Sequence, residues 1–245
     1  MRFFSTVFTA LALLGLMTGV ATVAMADVLV NTHDAYVARD NLGTNDGLNF
    51  GALNKTYVKF SGNSVNKSYH RWDLSTVTTD RTSATFEITQ ALTYGAPEGQ
   101  PALWTTLVYA LDDGDAGEGW DESTLTYNNA PANLNSPNAE FYDDTKTTFV
   151  GSFDFDVNAG VDGTVYSFST PALLAAVNND TDNNLTLMLR SSIVSGGGQH
   201  LASKEHATHQ GARLDLGPAV PEPGTFCLLG IGLVTLMGGY RRRNS

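Results

Sequence analysis

The sequence predicts an all-β protein, an antiparallel β-sandwich of jelly-roll type. Three observations point there. Short runs rich in Val, Thr, Phe, Tyr and Leu recur along residues 27–217, separated by clusters of Asn, Asp and Gly. Apolar and polar residues alternate in Ala84-Thr85-Phe86-Glu87-Ile88 and in Leu185-Thr186-Leu187-Met188-Leu189. Long helical periodicities are few, and no long-period repeat suggests a solenoid.

Taken in order, the runs place strands at residues 35–39, 55–60, 68–73, 82–90, 103–111, 147–156, 164–169, 185–191, 200–204 and 212–216. One helix is predicted at residues 171–178. Thr170 supplies its N-cap, Pro171 fits its first turn, and an Asn-rich run ends it. Residues 41–49, 112–118, 133–144 and 178–184 read as loops that hold much of the acid.

The chain has 245 residues, 42% apolar and 16% charged, with a net charge of -11. Its apolar content excludes a disordered chain. The acidic balance excludes a nucleic-acid partner, because phosphate binding needs a Lys/Arg surface. The single Cys cannot form an internal disulfide or a cysteine-based zinc site.

Three regions follow. Residues 1–26 read as a signal peptide: Arg2, an apolar stretch, then Ala24-Met25-Ala26 with small residues placed for cleavage before Asp27. Residues 27–217 form the body, with ten Lys and Arg against 24 Asp and Glu, a balance of -14. Residues 218–245 hold an uncharged apolar run of 17 residues, Gly224 to Tyr240, followed by Arg241-Arg242-Arg243. A helix of that length spans roughly 25 Å, just short of a bilayer core of about 30 Å. The arginines place its end on the cytoplasmic side.

Val220-Pro221-Glu222-Pro223, the apolar run and the Arg cluster together resemble the PEP-CTERM sorting signal. That resemblance implies an exosortase-type transpeptidase as partner. It also implies transient anchoring in the inner membrane of a Gram-negative bacterium, then release to the cell surface or extracellular matrix. The body carries Asp34-Ala35-Tyr36-Val37, Asn49-Phe50-Gly51, Val58-Lys59 and Arg71-Trp72-Asp73-Leu74-Ser75. It continues with Ala84-Thr85-Phe86, the block Trp120 to Pro131, Ser203-Lys204-Glu205 and Ala212-Arg213-Leu214. In that order these segments resemble the DNRLRE domain, carbohydrate-binding module family 96. Three positions depart from the family pattern: Tyr127 replaces a Trp, His70 an apolar residue and Arg213 a frequent Pro. The resemblance implies a noncatalytic jelly roll that binds or organises extracellular polysaccharide. The alternatives are a structural envelope or matrix protein without sugar specificity and, lower, a polysaccharide lyase or hydrolase.

Sugar recognition needs exposed aromatic faces and polar side chains for hydroxyls. Trp104 and Tyr142 are the aromatic candidates, whereas Trp120 and Tyr127 read as core packing within the family signature. Lys55, Lys59, Lys67 and Arg71 are candidates for a basic groove that would suit an acidic polysaccharide. Lys55, Tyr57 and Lys59 share one strand face, although a solvated strand face is the plainer explanation, since one Lys-bearing strand is common. Asp112, Asp113, Asp115 and Glu118 offer hard oxygen ligands to calcium on a Gly-containing loop, with residues 178–184 as a second such loop. Their spacing is not that of an EF-hand. His200, His206 and His209 read as loop histidines rather than metal ligands, and no G-x-S-x-G, P-loop or H-E-x-x-H motif occurs.

Overall fold

The computed structural model describes residues 26–62, 64–92, 103–114, 118–134, 142–156, 161–192 and 198–220. The expected signal peptide (apart from Ala26) and the expected sorting segment beyond Val220 lie outside the described residues. Eleven strands appear in the described chain. They are β1 (Asp27–Val30), β2 (His33–Arg39), β3 (Lys55–Ser61), β4 (Ser64–Asp73), β5 (Ala84–Thr89), β6 (Leu103–Leu111), β7 (Thr147–Asp156), β8 (Val165–Phe168), β9 (Asn184–Ser191), β10 (Gly198–Ala202) and β11 (Arg213–Leu216). Helix α1 spans Pro171–Asn178.

All described pairings are antiparallel. A four-stranded sheet runs β1-β11-β5-β8; a seven-stranded sheet runs β10-β3-β4-β9-β6-β7, with β2 on the other edge of β4. The architecture is the antiparallel sandwich that the alternation predicts. All ten predicted strands occur. Strand β1 is additional, and β4 begins four residues before its predicted start because Ser61↔Ser64 closes a hairpin with β3. The predicted helix is present with the predicted cap, the Leu173 N–H donating to Thr170 Oγ1 at 3.0 Å.

The main core lies between the sheets. Trp72, Phe86, Val108, Leu187, Leu189 and Leu214 meet there, and Leu173 and Val177 of α1 close one side. In β5, Ala84, Phe86 and Ile88 point into this core while Thr85 and Glu87 do not, as a period of two requires. Strands β4 and β9 are buried on both faces. A second apolar cluster explains this: Trp120, Leu125, Tyr127 and Ala130 lie over Ala35, Val37, Tyr69 and Met188. The segment 118–134 is therefore a lid on the larger sheet.

Candidate functional site

The lid is fixed by polar groups that the sequence scatters widely. Arg71 donates through Nη1 to the carbonyls of Trp120 (2.6 Å) and Glu118 (3.2 Å), and its guanidinium lies 5.5 Å from the Trp120 ring centre. Glu122 accepts from the Asp34 N–H and from Lys204 Nζ, which also pairs with Glu205. Asp34 is fully buried and accepts from the Lys204 N–H and from Asn31. Burial pushes its carboxyl up to about 7, against the two hydrogen bonds. Lys67 donates to Asn133 Oδ1 beneath the lid, and burial pulls its amine down to about 7. Lys67 and Arg71 thus hold the lid. They do not line an open basic groove, which corrects that part of the sequence expectation.

An aromatic strip assembles elsewhere from four segments. Tyr36 of β2 stacks on Phe50, with ring centres 4.4 Å apart, and meets Tyr57 of β3 edge-on at 6.1 Å. Tyr57 in turn lies 4.4 Å from His200 of β10, its partner in register. All four rings are half-buried. Gly198, one repeat along β10, makes room for the tyrosine: a Cβ there would sit 2.3 Å from Tyr57 Cε2. Lys55 and Lys59 flank Tyr57 on the same face of β3 and stay partly exposed. Burial, then the neighbouring Lys55, pulls His200 down to about 4, so its ring is neutral near pH 7.

Of the other aromatic candidates, Trp104 is only 1% exposed, packed on Phe155 beside Tyr166. It offers no open ring face, because it shares the inward face of β6 with Thr106 and Val108. Tyr142 remains half-buried against Tyr109 at 4.7 Å, with the Arg190 guanidinium 4.8 Å from its centre.

A family model for carbohydrate-binding module family 96 matches residues 26–205, most of the chain. The protein belongs to that family. C-terminal to the family 96 match, beyond β11, a second family model, the PEP-CTERM protein-sorting motif, matches residues 219–243. No curated protein matches the chain. The family is one of binding modules rather than catalytic domains, and the chain's separate sorting motif is of the kind that exosortases process.

Within the module, the candidate calcium residues divide. Asp112 bonds to Thr148, and Asp115 lies outside the described residues. Asp113 instead meets the second acidic loop: ligand oxygens of Asp113, Asp180 and Asp182 all lie within 4.8 Å of one another. Glu118 is buried nearby in the fold, its carboxyl pushed up to about 8 by burial and then by Asp182, Asp180 and Asp113. The histidines do not join a metal grouping among the described residues: His206 and His209 stack at 4.8 Å, and His209 pairs with Asp162.

Sequence reasoning missed Tyr36, Phe50 and His200 as partners of Tyr57. All four sit in family motifs or strands already marked, but nothing local signals that they converge.

Proposed function

We propose that this protein is an exported family 96 module that binds extracellular polysaccharide on the Tyr36–Phe50–Tyr57–His200 strip. The ligand is a chain bearing carboxylates, held by Lys55 and Lys59. The observation that supports this is the Tyr57 ring laid over Gly198 between two lysines on one strand face. A ring face is apolar enough to take the C–H face of a sugar, and its edge hydroxyl reaches sugar hydroxyls. The neutral His200 adds donor or acceptor capacity without charge. The body's overall balance of -14 repels a polyanion at long range, so the lysine pair confines binding to this strip.

On this reading residues 1–26 direct export, and the tail from Pro221 holds the precursor in the inner membrane until an exosortase-type enzyme cleaves it. The product then belongs to the cell surface or biofilm matrix of a Gram-negative bacterium, where it organises polysaccharide without acting on it. Affinity electrophoresis against a polyuronate, a neutral β-glucan and a sulfated galactan tests the reading. The protein should be retarded by the polyuronate, and Tyr57→Ala should weaken that about tenfold, as loss of roughly 50 Å² of apolar contact implies. No retardation by any of the three sinks it.

A further inference from the structure

The two acidic loops that meet at Asp113 come from opposite ends of β6 and β9. Asp113 follows β6, whereas Asp180 and Asp182 lie between α1 and β9, about 70 residues later. Thr181 Oγ1 donates to Asp113 Oδ2 and ties the loops together. Asp180 Oδ1 accepts the Asn183 N–H at 2.7 Å, and Asp182 Oδ1 accepts the Asn184 N–H at 2.8 Å. Each of these carboxylates keeps further lone pairs for another partner.

Three surface aspartates alone make only an acidic patch. Glu118 makes this one a site. It is 3% exposed, and its Oε2 has no hydrogen-bond partner. Its carboxylate takes the Thr186 N–H, two residues along β9 from the Asn184 N–H that holds Asp182. Residues two apart on a strand point their N–H groups the same way, so Glu118 and Asp182 occupy the same edge of β9. A buried carboxylate with an unused oxygen, held one strand repeat from Asp182 and within the field of all three aspartates, calls for a cation. None of the ion pairs among the described residues supplies one. Arg71, whose charge reaches Asp182, commits its donors to the carbonyls of Glu118 and Trp120 and to His33.

We propose that Asp113, Asp180 and Asp182, backed by Glu118, bind one calcium ion that clasps the loop after β6 to the loop before β9. Every donor is a hard carboxylate oxygen, and the donors sit on loops that can open to the six to eight ligands calcium takes. Magnesium needs a tighter octahedron and keeps its waters. The site lies beside Trp120, whose Nε1 donates to Thr186 Oγ1, so the ion also steadies the base of the lid.

Titration calorimetry and thermal unfolding of the chelator-treated protein test this with calcium and with magnesium. One calcium should bind per chain with a Kd of about 10⁻⁴ to 10⁻³ M, as in extracellular modules. At about 10 mM calcium Tm should rise by several degrees, and magnesium should do much less. Asp182→Asn keeps the acceptor for Asn184 and should weaken binding at least tenfold; Glu118→Gln should weaken it several-fold. Absence of heat and of any Tm shift with calcium overturns the proposal. Equal effects of magnesium, or unchanged calcium binding in both variants, overturn it as well.

Discussion

A methyl group at Gly51 tests how the lid is locked. A Cβ built there lies 2.1 Å from the Glu122 carbonyl oxygen and 2.7 Å from its carbon. Ordinary contacts are about 3.5 Å, so one backbone must retreat by more than about 1 Å. That carbonyl cannot retreat freely, because Asn49 Nδ2 holds it at 2.6 Å and holds the Leu125 carbonyl at 2.8 Å. Overpacking costs about 1–3 kcal/mol, and a broken hydrogen bond about 1 kcal/mol more. Gly51→Ala should therefore destabilise the protein by about 2–4 kcal/mol. For a domain of this size that is a fall in Tm of roughly 4–16 °C. The neighbouring Gly47→Ala is the control, since nothing lies within 4 Å of its Cβ; it should stay within about 0.5 kcal/mol of the parent. Circular dichroism melts of both variants decide. A Gly51→Ala melt that matches Gly47→Ala would refute the contact argument.

Three further outcomes follow from the same structure. Asp34 binds its proton more tightly folded than unfolded, so between about pH 4 and 7 stability falls as pH rises, by about 4 kcal/mol in all. Asp34→Asn should remove that fall, and urea titrations with parallel pH slopes for the two proteins would count against it. Thr170→Ala loses both the cap to Leu173 and the bond to the Val150 carbonyl. It should cost about 1–2 kcal/mol, read from the shift in urea midpoint. Gly198→Ala pushes the Tyr57 ring out of the strip, and polyuronate affinity should drop about five- to tenfold. Retention of full affinity in that variant would remove Tyr57 from the binding surface.

The strands were readable because their inward positions repeat with a period of two. Strand β1 was not, because Val28 and Val30 point to solvent on a sheet edge and leave no polar alternation to see. The same period assigns Trp104 inward: it shares a face with Val108, and following that face from the core would have excluded it as a sugar platform. In β9, Met188 and Thr186 look like an outer face, yet both are buried, because a lid supplied by distant sequence covers them. Both acidic loops were visible separately. Their meeting at Asp113 depends on sheet order, which no local pattern encodes. The aromatic strip was hidden for the same reason, its four rings being spread over residues 36–200.

Strand β11 lies between β1 and β5, and the chain stays pinned to its end. Ala219 bridges to Arg81, and the Val220 N–H donates to the Asp80 carbonyl at 2.7 Å. The sorting match begins at residue 219, so the body and its leash share their junction without slack. Any pull on the tail is delivered to a strand braced on both sides, which loads two ladders at once instead of peeling one. If the proposed tethering holds, tension on the precursor should be carried by both ladders with its sandwich intact.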